Sequence, residues 1–415
     1  MDLPGYFEFG CRVKVSAGHD ELGRIPEALK RLNASHPMII TDKGVLGAGL
    51  IDIVTAAMGD RIDLGPVESD VPPDSEVRVV NDLARIYREN NCDAIIAVGG
   101  GSVMDTAKGV NIVVSENAED LMDFSGSGRL KRPLKPLIAI PTTAGTGSEV
   151  TQAAVIADHG RNLKMVFNSY FMLPDVAVLD PRMTLTLPPA ITAATGMDAL
   201  THAVEAYTCL AKNPLSDTSA LVAIELVSKN VLAVTRNPGD VQGRLALANG
   251  ATIAGISFSN SLCGMVHGLG HSVGAVCGVH HGMCMGIGLP YGLEYNLHKN
   301  GHMTAELLLP LAGADVYART PAKDRAEKAI GWIRQLNNDL YAATDGKYAR
   351  CFKEVTDRDG KPMVPWDKLP AIARTCMGDG TILYNPEEVD YDDALMVLEA
   401  AWEGVPLDRS RIKKG

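Results

Sequence analysis

Short apolar runs punctuate the first half of the chain. Met38-Ile39-Ile40 precedes Thr41-Asp42, Ala94 to Val98 runs into Gly99, and Leu137 to Ile140 runs into Pro141. Val77-Arg78-Val79-Val80 is also β-branched and leads into a polar, helix-like stretch, so it too is read as a strand. Val176 to Leu179 closes the series. Brief, nearly all-apolar strands separated by helix-length segments predict a parallel sheet covered on both faces. Beyond Leu187-Pro188-Pro189 the pattern changes to long Ala/Leu/Gly-rich stretches with helical spacing. The expected organisation is therefore an α/β domain over 1–188 and a helical domain over 189–415. The polar stretch 344–366 reads as an exposed excursion, and no internal repeat is visible.

Composition sharpens this picture. At 415 residues and 46% hydrophobic content, two or three domains can each bury a core. A net charge of −11 without basic blocks argues against nucleic acid or an anionic membrane as partner. The charge is unevenly spread, with no Asp, Glu, Lys or Arg in the 49 residues from Leu245 to Leu293. That length would allow a membrane span. Its eleven glycines and four histidines instead indicate buried helices of a water-soluble protein. The N-terminal MDLPGYFEFG has no basic segment followed by an apolar run, and the eight cysteines form no Cys-x-x-Cys pair. A cytoplasmic location with reduced thiols is expected.

Two loops following strands carry candidate chemistry. Gly99-Gly100-Gly101-Ser102 leaves a buried strand and opens a helix. There, backbone N–H groups and the helix N-terminus form a cradle suited to pyrophosphate. It is neither a Gly-x-Gly-x-x-Gly fingerprint nor a Walker loop. Pro141-Thr142-Thr143-Ala144-Gly145-Thr146-Gly147-Ser148-Glu149 follows another strand and offers four hydroxyls. Both loops belong at the carboxyl edge of one sheet, where nucleotides bind in open α/β folds. Asp42, at the end of an early strand, is placed either to bond ribose hydroxyls and favour NAD over NADP or to cap a helix.

The helical half holds a second constellation. Asp198 and His202 are spaced i, i+4, so both lie on one helix face. His267 and His271 repeat that spacing inside the uncharged stretch, and His281 lies 14 residues beyond His267. On a straight helix that is about 21 Å, so a shared ion requires a turn between them, for which Gly278 and Gly282 are suited. One Asp with three His and no Cys suits Fe²⁺ or Zn²⁺. Spacing does not separate His280 from His281, nor decide whether His271 is a ligand.

Together these motifs resemble iron-containing (group III) alcohol dehydrogenases. The carrying residues are Gly99 to Ser102 with Asp105 and Lys108, the loop 141–149, Asp198-x-x-x-His202, His267-x-x-x-His271, His281-Gly282, and Asp379-Gly380-Thr381-Ile382-Leu383-Tyr384-Asn385-Pro386. The resemblance spans nearly the whole chain. It implies a dehydroquinate-synthase-like fold with an α/β dinucleotide-binding domain, an all-α metal-binding domain and an active site in the cleft. It further implies Asp198, His202, His267 and His281 as metal ligands, with His271 unligated and facing the reacting groups. Asp42, Gly99, Gly100, Gly101, Ser102, Asp105, Thr142, Thr143, Thr146 and Lys164 would contact NAD(H). Phe258 and Thr381 would line the substrate pocket, and His280 has no counterpart role.

The implied activity is a metal-dependent, NAD(H)-linked alcohol dehydrogenase or aldehyde reductase for a small primary alcohol or diol, as a homo-oligomer. A divalent ion, Fe²⁺ with Zn²⁺ as the alternative, would lower the pKa of the alcohol, and His271 would relay a proton. The competing readings are a glycerol-dehydrogenase-type polyol oxidoreductase, a cyclase of the dehydroquinate synthase kind and a non-catalytic scaffold. A phosphate-bearing substrate of the cyclase kind would need Lys and Arg near the metal, which the uncharged stretch does not supply.

Overall fold

The structure, a computed structural model, describes residues 4–158 and 163–412. The chain divides into two compact units between Leu187 and Pro188, and the described residues 4–9 group with the second unit rather than with the α/β part.

In the first unit the strands are β1 (Lys14–Ala17), β2 (Pro37–Ile40), β3 (Val67–Glu68), β4 (Ala94–Gly99), β5 (Gly126–Ser127), β6 (Leu137–Pro141), β7 (Ala153–Asp158), β8 (Leu163–Asn168) and β9 (Val176–Leu179). Its helices are α1 (Ile25–Arg31), α2 (Lys43–Gly47), α3 (Leu50–Met58), α4 (Val77–Glu89) and α5 (Gly101–Glu116). Six strands form a wholly parallel sheet in the order β1-β9-β6-β4-β2-β3. Successive side chains on a strand point to opposite faces. Accordingly Met38, Ile40, Ile95, Ala97, Leu137 and Ala139 join one core with α4 and α5 residues such as Leu83 and Val110. Ile39, Ile96, Val98, Ile138 and Ile140 join the opposite core with Leu29 of α1 and Val54 of α3. Both faces are dry, which explains the lack of polar alternation in these strands.

Val77 to Val80 is not a strand. It is the first turn of α4, where Val77, Val80, Leu83, Ala84 and Tyr87 form one buried stripe. Arg78 and Asp82 pair at 3.6 Å on the solvent side. A four-residue apolar run cannot separate helix from strand; the spacing of the residues after it does. β7 and β8 pair antiparallel beside β5 in a second, three-stranded sheet that the apolar runs did not announce. β7 is alanine-rich, with Ala154 and Ile156 inward and Val155 outward, so its signal is weak.

The second unit is helical: α6 (Pro189–Thr208), α7 (Pro214–Arg236), α8 (Val241–Ser259), α9 (Met265–Cys277), α10 (His281–Glu306), α11 (Leu308–Ala312), α12 (Ala314–Arg319), α13 (Arg325–Ala343), α14 (Leu369–Cys376) and α15 (Tyr391–Glu403). α6 is buried without a break from Thr192 to Thr208, as a central core helix must be. The uncharged stretch comprises most of α8, all of α9 and the first half of α10. A Cβ on Gly282 would lie 2.4 Å from the Ala194 carbonyl oxygen, so glycine there lets α10 approach the α6 backbone. Among the described residues, α7 alone is long and apolar enough to cross a membrane; it packs against α6 and α8.

The stretch 344–366 is not an exposed excursion. Tyr348, Phe352 and Val364 are buried in the helical core, Tyr348 donates to Asn337 Oδ1 at 2.8 Å, and exposure is concentrated at 356–362.

Candidate active site

Three helices of the second unit bring one carboxylate and three imidazoles together. Asp198 and His202 project from one face of α6, His267 from the first turn of α9, and His281 from the start of α10. The turn that this requires is made at Gly278, whose φ of 69° is a left-handed conformation that glycine adopts without strain. One donor atom from each of the four residues lies within 4.8 Å of the other three. His281 Nε2 is 3.3 Å, and His202 Nδ1 3.6 Å, from Asp198 Oδ1. His280, one residue earlier, is exposed and lies outside this group.

Their electrostatics fit a cation. Asp198 Oδ1, His202 Nδ1 and His267 Nε2 are buried and, among the described residues, have no hydrogen-bond partner. Leaving such atoms unpaired costs about 1–3 kcal/mol each. Burial drives the His202 imidazole down to about 3 and that of His267 well below its ordinary value, so both rings are neutral and offer lone pairs. Burial opposes ionisation of Asp198, yet the neighbouring His202 and His281 hold its carboxyl below the usual range. A divalent ion satisfies all of these groups at once.

Around the four donors lie residues that orient them. Phe258 stacks on His202 with ring centroids 4.1 Å apart and planes 16° apart. His271, exposed at the rim, stacks on His281 at 5.2 Å. Its Nδ1 is 2.8 Å from Asp379 Oδ2. The other Asp379 oxygen accepts from Thr381 N at 2.9 Å and Thr381 Oγ1 at 2.6 Å. Thr381 therefore acts on His271 through Asp379. A Cβ on Gly268 would lie 2.7 Å from Ile382 and 3.1 Å from Thr381 Oγ1, so glycine between the two α9 histidines is what lets this loop dock.

Sequence reasoning gave no role to two of these residues. Asp379 opens the Asp379 to Pro386 motif. Glu205, three residues beyond His202 on the same face of α6, went unnoticed; its carboxylate lies 2.5 Å from His267 Nδ1. Burial pushes the Glu205 carboxyl up to about 7, against the pull of the Val266, Gly264 and His267 backbone N–H groups.

The first unit assembles the glycine-rich turns on its own. β4 and β6 are neighbours in register, Gly99 opposite Pro141, so both loops leave the same sheet edge. A Cβ on Gly101 would meet Thr146 at 3.0 Å and one on Gly100 would meet Thr143 Oγ1 at 3.4 Å, so the loops touch only because side chains are absent. Gly100 is the N-cap of α5 and brings no side chain to its N–H groups. The chain leaves β2 toward β3 but leaves β4 toward β6, making this edge the topological switch point of the sheet. Thr142 is buried, its N–H on the Gly99 carbonyl at 3.0 Å.

Asp42 stands at the end of β2, where its Oδ1 caps α2 by accepting from Gly44 N and Val45 N at 2.8 and 2.9 Å. Ser102 Oγ donates to the Pro73 carbonyl. Asp105 braces the fold: Ser148 Oγ and Val155 N each donate to it at 2.9 Å. Lys108 extends the brace by donating to Ser148 Oγ, Thr151 Oγ1 and the Ala153 carbonyl. Lys164 sits in β8 opposite Ala157, and its side chain lies outside the described residues.

A doubly covered parallel sheet with a nucleotide-type edge, joined in one chain to a helical unit holding a buried Asp-His₃ cluster, defines a narrow class of two-unit α/β plus α proteins. Comparison with known proteins places the chain within it. The sequence model for iron-containing alcohol dehydrogenase matches residues 13–181, and that for the Fe-containing alcohol dehydrogenase family, C-terminal, matches residues 192–402. The chain belongs to the iron-containing alcohol dehydrogenase family.

Similar curated proteins include alcohol dehydrogenase 4 of Schizosaccharomyces pombe, 38% identical over 250 residues, which are 60% of this chain and 59% of that protein. A 1,3-propanediol dehydrogenase of Citrobacter freundii is 36% identical over 255 residues, 61% of this chain and 65% of that protein. These matches thus span about six tenths of the curated relatives' length. Among solved structures, a 1,3-propanediol oxidoreductase superposes with a TM-score of 0.88 at 30% identity, covering 95% of this chain and 100% of its own. An alcohol dehydrogenase from Oenococcus oeni gives 0.88 at 31%, covering 96% and 100%.

Proposed function

We propose that this protein is a metal-dependent, NAD(H)-linked alcohol dehydrogenase and aldehyde reductase acting on a small primary alcohol or diol. The carrying observation is the buried group Asp198, His202, His267 and His281, three of whose donor atoms are orphaned unless a cation is present. These four residues would hold the ion, Fe²⁺ in this reading with Zn²⁺ as the alternative. When bound, the ion supplies Lewis-acid polarisation of the alcohol oxygen, and the nicotinamide supplies the hydride acceptor.

The chain's own residues account for the rest. Asp198 contributes the single negative charge of the donor set and the histidines are neutral, so the set with a divalent ion bound would be net positive. His271 at the rim takes up or returns the alcohol proton, held by Asp379 at its far nitrogen. Gly99 to Ser102, with Thr142, Thr143 and Thr146 across the gap, receive the dinucleotide phosphates. Asp42 stands where a carboxylate meets the ribose hydroxyls and Lys164 completes the cofactor set, while Asp105 serves it by bracing the second loop through Ser148. Phe258 and Thr381 border the substrate. The reaction balances as alcohol plus NAD⁺ giving aldehyde, NADH and one proton.

The relatives support this substrate class. An NAD-dependent methanol dehydrogenase of Bacillus methanolicus is 34% identical over 255 residues, and the propanediol dehydrogenase acts on a short diol. The net charge of −11 supports a cytoplasmic enzyme with neither nucleic acid nor membrane as partner, and we read it as a homo-oligomer, dimer or larger. The decisive experiment is anaerobic reconstitution of metal-free protein with Fe²⁺ or Zn²⁺, followed by a panel of short alcohols and aldehydes with NAD(H) and NADP(H). Turnover that requires the ion and prefers NAD(H) is expected. Absence of turnover on the whole panel, or turnover without the ion, overturns the reading.

A further inference from the structure

We propose that Glu205 is a positioning residue of the metal centre, fixing which nitrogen of His267 faces the ion and locking that ring to the start of α9. The inference rests on the metal-binding reading above and extends it to a residue outside the donor set.

The geometry is specific. Glu205 reaches across from α6 and takes three groups of α9 at once: Val266 N at 2.8 Å, His267 N at 3.3 Å and His267 Nδ1 at 2.5 Å. The N-cap of α9 is Gly264, which has no side chain to satisfy these first-turn donors. Asn385 supplies the next one, accepting from Met265 N at 3.2 Å. A Cβ on Gly264 would come within 2.9 Å of Asn385 Oδ1 and 3.0 Å of Glu205 Oε1, so glycine there is what admits both caps. The helix is therefore capped by side chains from elsewhere in the unit.

The consequence for His267 follows from imidazole chemistry. A neutral ring has one N–H and one lone pair. Both Glu205 oxygens already accept backbone N–H groups, which favours the anion despite burial. The carboxylate therefore accepts at Nδ1, and the lone pair is on Nε2, the nitrogen that is buried without a partner. The hydrogen bond made by one ring nitrogen sets which nitrogen binds metal and raises its basicity. Glu205 lies two helical turns after Asp198, so one helix face carries two ligands and the group that orients a third.

The test is metal affinity. Full-length protein is stripped of metal, and Zn²⁺ or Co²⁺ is titrated in competition with a chromophoric chelator for wild type and Glu205→Gln. Glutamine keeps an oxygen that can cap α9 but removes the anionic acceptor. The expected result is a folded variant whose affinity is weaker by about 10- to 100-fold, with an altered Co²⁺ absorption spectrum. Affinity within twofold of wild type in folded Glu205→Gln overturns the inference while leaving the metal reading intact. A wild-type protein that binds no divalent ion overturns the metal reading itself. Should the variant not fold, histidine ¹H–¹⁵N correlation spectra of the Zn²⁺-loaded wild type decide the matter. A His267 ring protonated at Nδ1 supports the inference, and one protonated at Nε2 overturns it.

Discussion

Asp379 and His271 meet across 108 residues of sequence, with Oδ2 of the carboxylate 2.8 Å from Nδ1 of the ring. The hydroxyl and N–H of Thr381 hold the other oxygen. In the proposed mechanism Nε2 of His271 does the chemistry while Nδ1 is held by Asp379. Burial disfavours the Asp379 anion, but the His271 contact together with the two Thr381 hydrogen bonds outweighs it and keeps the carboxyl well below the usual range.

His271→Ala should therefore cut kcat by about a hundredfold or more, the scale of a lost proton relay, while bound metal per chain stays unchanged by elemental analysis. Metal loss in the variant would make His271 a ligand instead.

Asp379→Ala should lower kcat by about tenfold, and the double variant His271→Ala/Asp379→Ala should be no slower than His271→Ala alone. Groups acting as a unit are not additive, and a double-mutant cycle on kcat measures this. Full additivity would mean that Asp379 acts independently of His271.

Removing the ion should weaken the folded state. An ion present at 100- to 1,000-fold above its Kd adds about 3–4 kcal/mol, which for a unit of this size corresponds to a fall in Tm of roughly 10 °C on chelation. Asp198→Ala should show the lower Tm whether or not chelator is added. Calorimetry with and without chelator measures both.

Asp42 separates two roles cleanly. Asp42→Asn keeps an N-cap of nearly equal quality, whereas Asp42→Ala loses about 1 kcal/mol. If the carboxylate also repels a 2′-phosphate, Asp42→Asn should raise the NADPH/NADH ratio of kcat/KM at unchanged Tm. An unchanged ratio would leave Asp42 as a helix cap alone.

Gly101→Val should raise the KM for NAD about tenfold or more with kcat and metal content little altered. The new side chain would collide with Thr146, which a Cβ alone already meets at 3.0 Å, and would fill the gap between the two loops. A KM unchanged from wild type would place the phosphates elsewhere.

Much of this site was legible because helix and sheet periodicities project directly onto sequence. The i, i+4 pair at Asp198 and His202 needed only the helical repeat, and the strands ending at Gly99 and Pro141 needed only their continuous apolar character. Glu205 belonged to the same helix face and could have been found by carrying that face one turn further. It escaped notice because a glutamate on a helix is ordinarily solvated, and burial is a tertiary property. Asp379 had no local signal linking it to His271. Val77 to Val80 misled because valine-rich runs are strand-like until the spacing of Leu83, Ala84 and Tyr87 is counted. The buried Tyr348 and Phe352 were hidden by the charged residues around them.

The trans-capping of α9 bears on how the protein is made. Its contacts join residues 61 positions apart at Glu205 and Val266 and 120 apart at Asn385 and Met265. Loops of that length close late in folding, after local helices have formed. A nascent chain consequently offers an ion only local pairs, Asp198–His202 on α6 or His267–His271 on α9, until α9 and α10 have docked against α6. If the proposed metal site holds, the ion would then enter a nearly finished unit, as a late lock on its packing and not as a nucleus for its folding.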